Sequence, residues 1–286
     1  MALKELDMPL LTLAPCAVQC LDLTKLHSSP TTLCGSTFSR QDVDSCLMSS
    51  CSLLEAFSTR RLIEVFCETP VRNKTAELDR LNLCFGSVTV VIVSTRALFN
   101  LFIGAKHGLK IDDWLLLIAA PLGLATIILL TCGLNANGFG KDIWGTDLDS
   151  LVSYGIYFYV IEILYLVLMT LAKVALAFFY VGLFPAKNIR RLLFAVILFH
   201  VIAGIAFVLK VIFQCTPASY NWNKYSGNPQ FHGHCVNINL SSWINGAIGV
   251  ASDFVLLAIP LSQVKGLNLH WRKKIEATLM FMTGMM

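Results

Sequence analysis

The chain has 286 residues, 56% of them apolar and only 14% charged, with a mean hydropathy of +0.67 and a formal net charge of +4. Soluble domains are about one quarter charged, so this composition excludes an ordinary water-soluble protein and points to a membrane protein. Charge is segregated: ten of the 18 acidic residues precede Leu81, and from there on 14 Lys and Arg face eight Asp and Glu. No basic stretch is interleaved with aromatic residues, so nucleic acid is not an expected partner.

In chain order, Met1 to Pro15 lacks the basic start and long apolar run of a signal peptide; only Met8 to Ala14 is apolar, behind Glu5 and Asp7. Either a preceding segment is missing or the first span acts as a reverse anchor. Six of the ten cysteines then fall between Cys16 and Cys67. Such density wants an oxidising compartment and so places residues 1–70 outside a cell as a small disulfide-bonded head. Residues 71–82 read as a polar linker, and residues 83–286 as the membrane domain. Spans are expected at about 83–103, 114–134, 152–183, 190–213 and 243–263, each long enough to cross a core of about 30 Å. A sixth begins near Ile275 and reaches only Met286, so the chain is expected to be incomplete at its C-terminus. The fold class of the body is therefore all-α, a polytopic helical bundle carrying a small disulfide-bonded head.

Orientation follows from Lys and Arg in the short loops. With the head outside, the inner loops hold Lys106, Lys110, Lys187, Arg190, Arg191, Lys265, Arg272, Lys273 and Lys274, against Lys141 and Lys224 in the outer loops. That is a positive-inside pattern. Trp114, Trp144, Trp222, Trp243 and Trp271 all lie at expected span ends or in loops, where an interfacial aromatic belt places them.

The head spacing is Cys16-x3-Cys20-x13-Cys34-x11-Cys46-x4-Cys51-x15-Cys67. Spacing alone allows fifteen pairings. With Pro15-Cys16-Ala17 and the last three gaps, the segment resembles the fungal CFEM domain, an extracellular helical module normally held by eight cysteines. Its third and fourth cysteines are absent here, and the resemblance implies the pairs Cys16–Cys51, Cys20–Cys46 and Cys34–Cys67. Some CFEM proteins ligate haem through an Asp in the segment between Cys20 and Cys34. Ser29 stands at the corresponding place, and Asp22 lies in another part of the motif. No cofactor is therefore expected, and haem in particular is not.

The rest of the chain resembles the fungal rhodopsin-like membrane domain of Pth-type receptor-like proteins. The matching strings are Asp112-Asp113-Trp114, Gly138-Phe139-Gly140-Lys141, Lys173 to Tyr180, Phe213-Gln214-Cys215-x-Pro217 with Trp222, Asp253-Phe254 leading to Ile259-Pro260-Leu261, and Arg272-Lys273-Lys274-Ile275. A Lys141-Asp142 pair stands where Lys-His is common. The resemblance implies seven-helix architecture rather than a retinal Schiff base on Lys173.

Cys215 and Cys235 bound a loop placed outside, and a bond between them would stabilise by about 3 kcal/mol. Cys84 and Cys132 are expected as buried thiols. Charges inside spans cost several kcal/mol unless paired or wetted, which marks Arg96, Glu162, Lys173 and Asp253. Glu162 and Lys173 are about 16 Å apart along one helix, so Asp253 is the natural partner for Lys173 or Arg96. Lys210, near an outer end, can snorkel. No catalytic motif and no metal-ligand spacing is found; His232 and His234 are read as loop residues. Asn73-Lys74-Thr75 is a glycan acceptor pattern in the outer linker, and Asn239-Leu240-Ser241 abuts a span.

These readings converge on a multi-pass fungal plasma-membrane receptor, not an enzyme. It would sense an unknown extracellular or surface ligand and present Lys187, Arg190, Arg191, Arg272, Lys273 and Lys274 to anionic lipid or a heterotrimeric G protein. The alternatives are a haem- or iron-capturing surface protein and an adhesion protein whose helices only anchor its head.

Overall fold

The computed structural model describes residues 14–20, 34, 40–102, 110–142, 146, 150–226, 228 and 230–264. Ser29, Asp22, Lys106, Lys265, Arg272, Lys273, Lys274, Trp144, Trp271 and the expected sixth helix lie outside them. The described chain is helical apart from one two-stranded ribbon. It divides into two compact units, residues 1–91, 124–163 and 215–235 in the first and residues 92–123, 164–214 and 236–286 in the second.

In the first unit, α1 (Pro15–Cys20), α2 (Arg40–Ser50) and α3 (Leu53–Phe66) form the head. Ala17, Val43, Leu47, Ala56 and Ile63 make its core. Five such side chains are too few to offset the ordering of this segment alone. Disulfides Cys16–Cys51, Cys20–Cys46 and Cys34–Cys67 supply the remainder by closing loops of 35, 26 and 33 residues. α3 opens on a capping box: Ser52 Oγ accepts from the Glu55 N–H, and the Glu55 carboxylate accepts from the Ser52 N–H. Ser52 Oγ also donates to that carboxylate at 2.6 Å, and this bond, with the one from the Ser52 N–H, holds the Glu55 carboxyl below its ordinary range. Glu64, only 1% exposed, is ion-paired to Arg60, which also reaches Asp44.

Five helices among the described residues are long and apolar enough to cross a membrane. They are α4 (Thr75–Phe102), α5 (Ile111–Ile128, continuing as a π-helical turn over Leu129–Asn135), α6 (Leu151–Leu183), α7 (Lys187–Ile212) and, after a short helix α8 (Tyr220–Asn223), α9 (Ile238–Val264). The span expected from 83 therefore starts eight residues earlier, inside the segment read as linker. Its first turn is stitched to the Gly138–Asp142 loop. The Lys74 N–H donates to Gly140 O, Thr75 Oγ1 donates to Phe139 O, and Arg72 makes two charged bonds to Asp142. The hydrogen-bonded ion pair holds the Asp142 carboxyl below and the Arg72 guanidinium above their usual ranges; Arg72 is exposed and Asp142 partly buried. Gly138 and Gly140 have φ of +105° and +83°, so the Gly-Phe-Gly string is a backbone requirement.

Between α7 and α9, β1 (Cys215–Thr216) pairs antiparallel with β2 (His234–Cys235), and the register sets Cys215 opposite Cys235, where a disulfide joins them. Trp222 on α8 packs against Tyr159, and Gly155 lets the α8 backbone come close to α6. Asn73 is exposed, with its side-chain oxygen accepting from the Thr75 N–H. Asn239 lies inside the first turn of α9. Cys84 and Cys132 are both exposed, contrary to expectation. A thiol is nearly as apolar as its aliphatic neighbours, so a lipid-facing position suits it as well as a core.

Candidate functional site

In the second unit, three spans present matching buried stripes at helical spacing: Val174, Ala177, Tyr180 and Phe184 on α6, Leu193 and Ile197 on α7, Leu256 and Ile259 on α9. Each stripe ends in a polar residue. Lys173 precedes Val174, His200 lies three residues beyond Ile197, and Ser252 lies four before Leu256. Carrying the apolar pattern on by one turn thus brings three polar side chains to one cleft.

Lys173 Nζ sits 2.9 Å from Asp253 Oδ1, 2.9 Å from Ser252 Oγ and 3.1 Å from Gly249 O, so all three ammonium donors have acceptors on α9. The Lys173 side chain is 13% exposed and that of Asp253 47%. One face of the carboxylate therefore stays open while the cation is enclosed. His200 is 6% exposed, and its Nε2 has no hydrogen-bond partner. The cleft around these groups measures about 260 Å³. Tyr165, Phe199 and Phe207 wall it with aromatic surface, and Gly204, Gly246 and Gly249 line it too. At Gly204 an added Cβ would collide with Thr170 of α6, which is how α6 and α7 approach closely enough to shape it.

Arg96 pairs elsewhere. Its guanidinium binds Asp112 at 2.6 Å and Asp113 at 3.4 Å in the first turn of α5, with the Phe179 ring 5.8 Å away. Of the two cations weighed for Asp253, the structure brings Lys173 to it and takes Arg96 to a different pair of carboxylates. Those carboxylates also suit a helix N-terminus, where Asp113 accepts the Lys110 N–H. The sequence signal was present: two adjacent acids open a span sixteen residues beyond an intramembrane arginine. Glu162 is half-buried and joins no ion pair within 4 Å among the described residues. Its charge is felt at Lys224, whose ammonium is pushed down by burial and partly restored by Glu162. Lys187, Arg190 and Arg191 are exposed on the first turn of α7, and Lys210 is half-buried on its last. His200 was missed because one histidine in an apolar helix carries no motif. His234 sits on β2, and no group of three or more His, Cys, Asp or Glu among the described residues could hold a metal ion.

Membrane-length helices with charges paired between them and a cleft beside one pair define a multi-pass helical membrane protein. Residues 95–286, well over half of the chain, match the fungal rhodopsin domain, and the chain belongs to that family. Among curated relatives it is 29% identical over 127 residues to a SAT4 family membrane protein of Emericella nidulans, covering 43% of this chain and 32% of the relative. It is 27% identical over 206 residues to polyenoic acids biosynthesis gene cluster protein Ba17b of Metarhizium anisopliae, covering 70% of this chain and 54% of the relative. The chain thus spans about a third and about half of these relatives. No solved structure matches it.

Proposed function

We propose that the chain is a receptor-like protein of the fungal plasma membrane. Its CFEM-like head is extracellular and Asn73 is open to glycosylation. The bundle responds to an external cue and is not an enzyme. The observation that carries this reading is the Lys173–Asp253 pair beside an open cleft. A purely anchoring bundle has no need of a charge pair at membrane depth, where each ion costs several kcal/mol. A pair whose carboxylate is still reachable can be engaged from outside, and a ligand that favours a changed packing of α6 against α9 shifts the population toward it. Lys187, Arg190 and Arg191 support the orientation. They crowd the first turn of α7, the helix end that repels cations, and anionic headgroups or a G protein on the inner side offset that repulsion. Arg272, Lys273 and Lys274 belong to the next loop that the charge pattern assigns to the inner side. No haem belongs to this reading.

The test replaces residues 83–286 of the chain by a single unrelated span that keeps the head outside. The receptor reading expects the strain to behave as a deletion of the whole protein. Wild-type behaviour would reduce the bundle to an anchor and favour the adhesion alternative.

A further inference from the structure

The cleft's open hydrogen-bonding groups select a ligand head by elimination. All three Lys173 donors are engaged, so an anionic head finds no free N–H there and would leave the site with net negative charge. An ammonium head would be drawn to Asp253 but would make three charges where two now cancel, at a depth where an uncompensated ion costs several kcal/mol. A ketone or ether can accept from the imidazole but offers nothing to the carboxylate. A hydroxyl does both: it donates to the open face of Asp253 and pairs with the buried, unpartnered Nε2 of His200. It also leaves the site neutral. The aromatic walls of Tyr165, Phe199 and Phe207 then suit an apolar body, and Gly246, where an added Cβ would meet nothing within 4 Å, leaves room for it.

We infer that the cleft between α6, α7 and α9 binds a neutral apolar alcohol, its hydroxyl held between Asp253 and His200. This deepens the receptor reading by naming the ligand class of the same site. A free fatty alcohol and a sterol share the required chemistry.

The full chain is purified into lipid nanodiscs and exposed to a medium-chain primary alcohol carrying a diazirine. Labelled residues are mapped by mass spectrometry. Saturable labelling on the cleft faces of α6, α7 and α9 is expected. It should be competed by the unlabelled alcohol and by a sterol if the site admits both sources, and by the first alone if it admits only the chain. The matched methyl ether, alkylamine and fatty acid should compete at least about tenfold more weakly, the loss expected for one buried hydrogen bond. His200→Phe should reduce labelling about tenfold, while His200→Gln retains more of it. Gly246→Leu fills the cleft without touching a polar group and serves as the second variant if His200→Phe fails to fold.

Equal competition by the ether, stronger competition by the amine or acid, or labelling unaffected by both His200→Phe and Gly246→Leu would overturn the assignment. Specific labelling in a protein whose cells show no response to the alcohol would leave the site standing and remove the receptor reading instead.

Discussion

Asp253→Asn is expected to cut delivery of the full chain to the cell surface sharply, and adding Lys173→Met should restore most of it. The single change leaves an enclosed ammonium whose carboxylate, 2.9 Å away, has become a neutral amide. The carboxylate is half-open but the ammonium is enclosed, so removing Asp253 leaves an uncompensated ion at membrane depth, which costs several kcal/mol, whereas replacing both partners by groups of similar volume is often nearly neutral. Arg96→Met should not rescue Asp253→Asn, because Arg96 answers to Asp112 and Asp113. It should itself be damaging, since it leaves two carboxylates together in the first turn of α5. Surface biotinylation of the singles and the two doubles reads this directly. A rescue by Arg96→Met in place of Lys173→Met would reassign the partner.

Breaking the head's cross-links should have an effect of the same size. Paired replacement of Cys34 and Cys67 by Ser removes a bond that closes 33 residues, worth about 4 kcal/mol in the chain-entropy estimate, from a core of five buried apolar side chains. That is a large share of the stability of any domain this small. Limited proteolysis of intact cells should then release the head at protease levels that spare the wild type. The Cys215–Cys235 pair, which closes a shorter loop already registered by the ribbon, should matter less to protease resistance of the head. Equal protease resistance of the Cys34/Cys67 variant would mean that packing and the two remaining bonds, Cys16–Cys51 and Cys20–Cys46, hold α1–α3 without it.

Much of the architecture was legible because a bilayer imposes a simple rule on sequence. Where the described residues continue past a span, its C-terminal end was placed within a residue or so, at 134, 183 and 213 against observed ends at Asn135, Leu183 and Ile212. Four starts were placed three to eight residues late, at 83, 114, 190 and 243 against Thr75, Ile111, Lys187 and Ile238. In each case the first turns carry polar residues, among them Glu77 and Asp79, Asp112 and Asp113, Lys187 and Arg190, Ser241 and Ser242. Hydropathy registers where apolar residues begin, not where the backbone begins to coil. The charged positions were visible for the opposite reason, since four ions stand out against apolar runs. Their partners were less so: periodicity says which face a residue occupies but not which helix lies against that face. The same limit hid His200 and Ser252, each an unremarkable polar residue until three stripes converge, and the Arg72–Asp142 link, which joins residues 70 positions apart.

The Lys173–Asp253 pair is the polar tie between α6 and α9. With Cys84 and Cys132 replaced by Ser, spin labels can be placed at the exposed positions Ala172 on α6 and Val255 on α9 in the full chain. Double electron–electron resonance in nanodiscs then gives the distance distribution between the two helices. One narrow distribution is expected in this background, and a broadened or shifted one in the Lys173→Met/Asp253→Asn double variant if the pair is that tie. An identical narrow distribution in both would contradict it, because the helices would then be held without the pair.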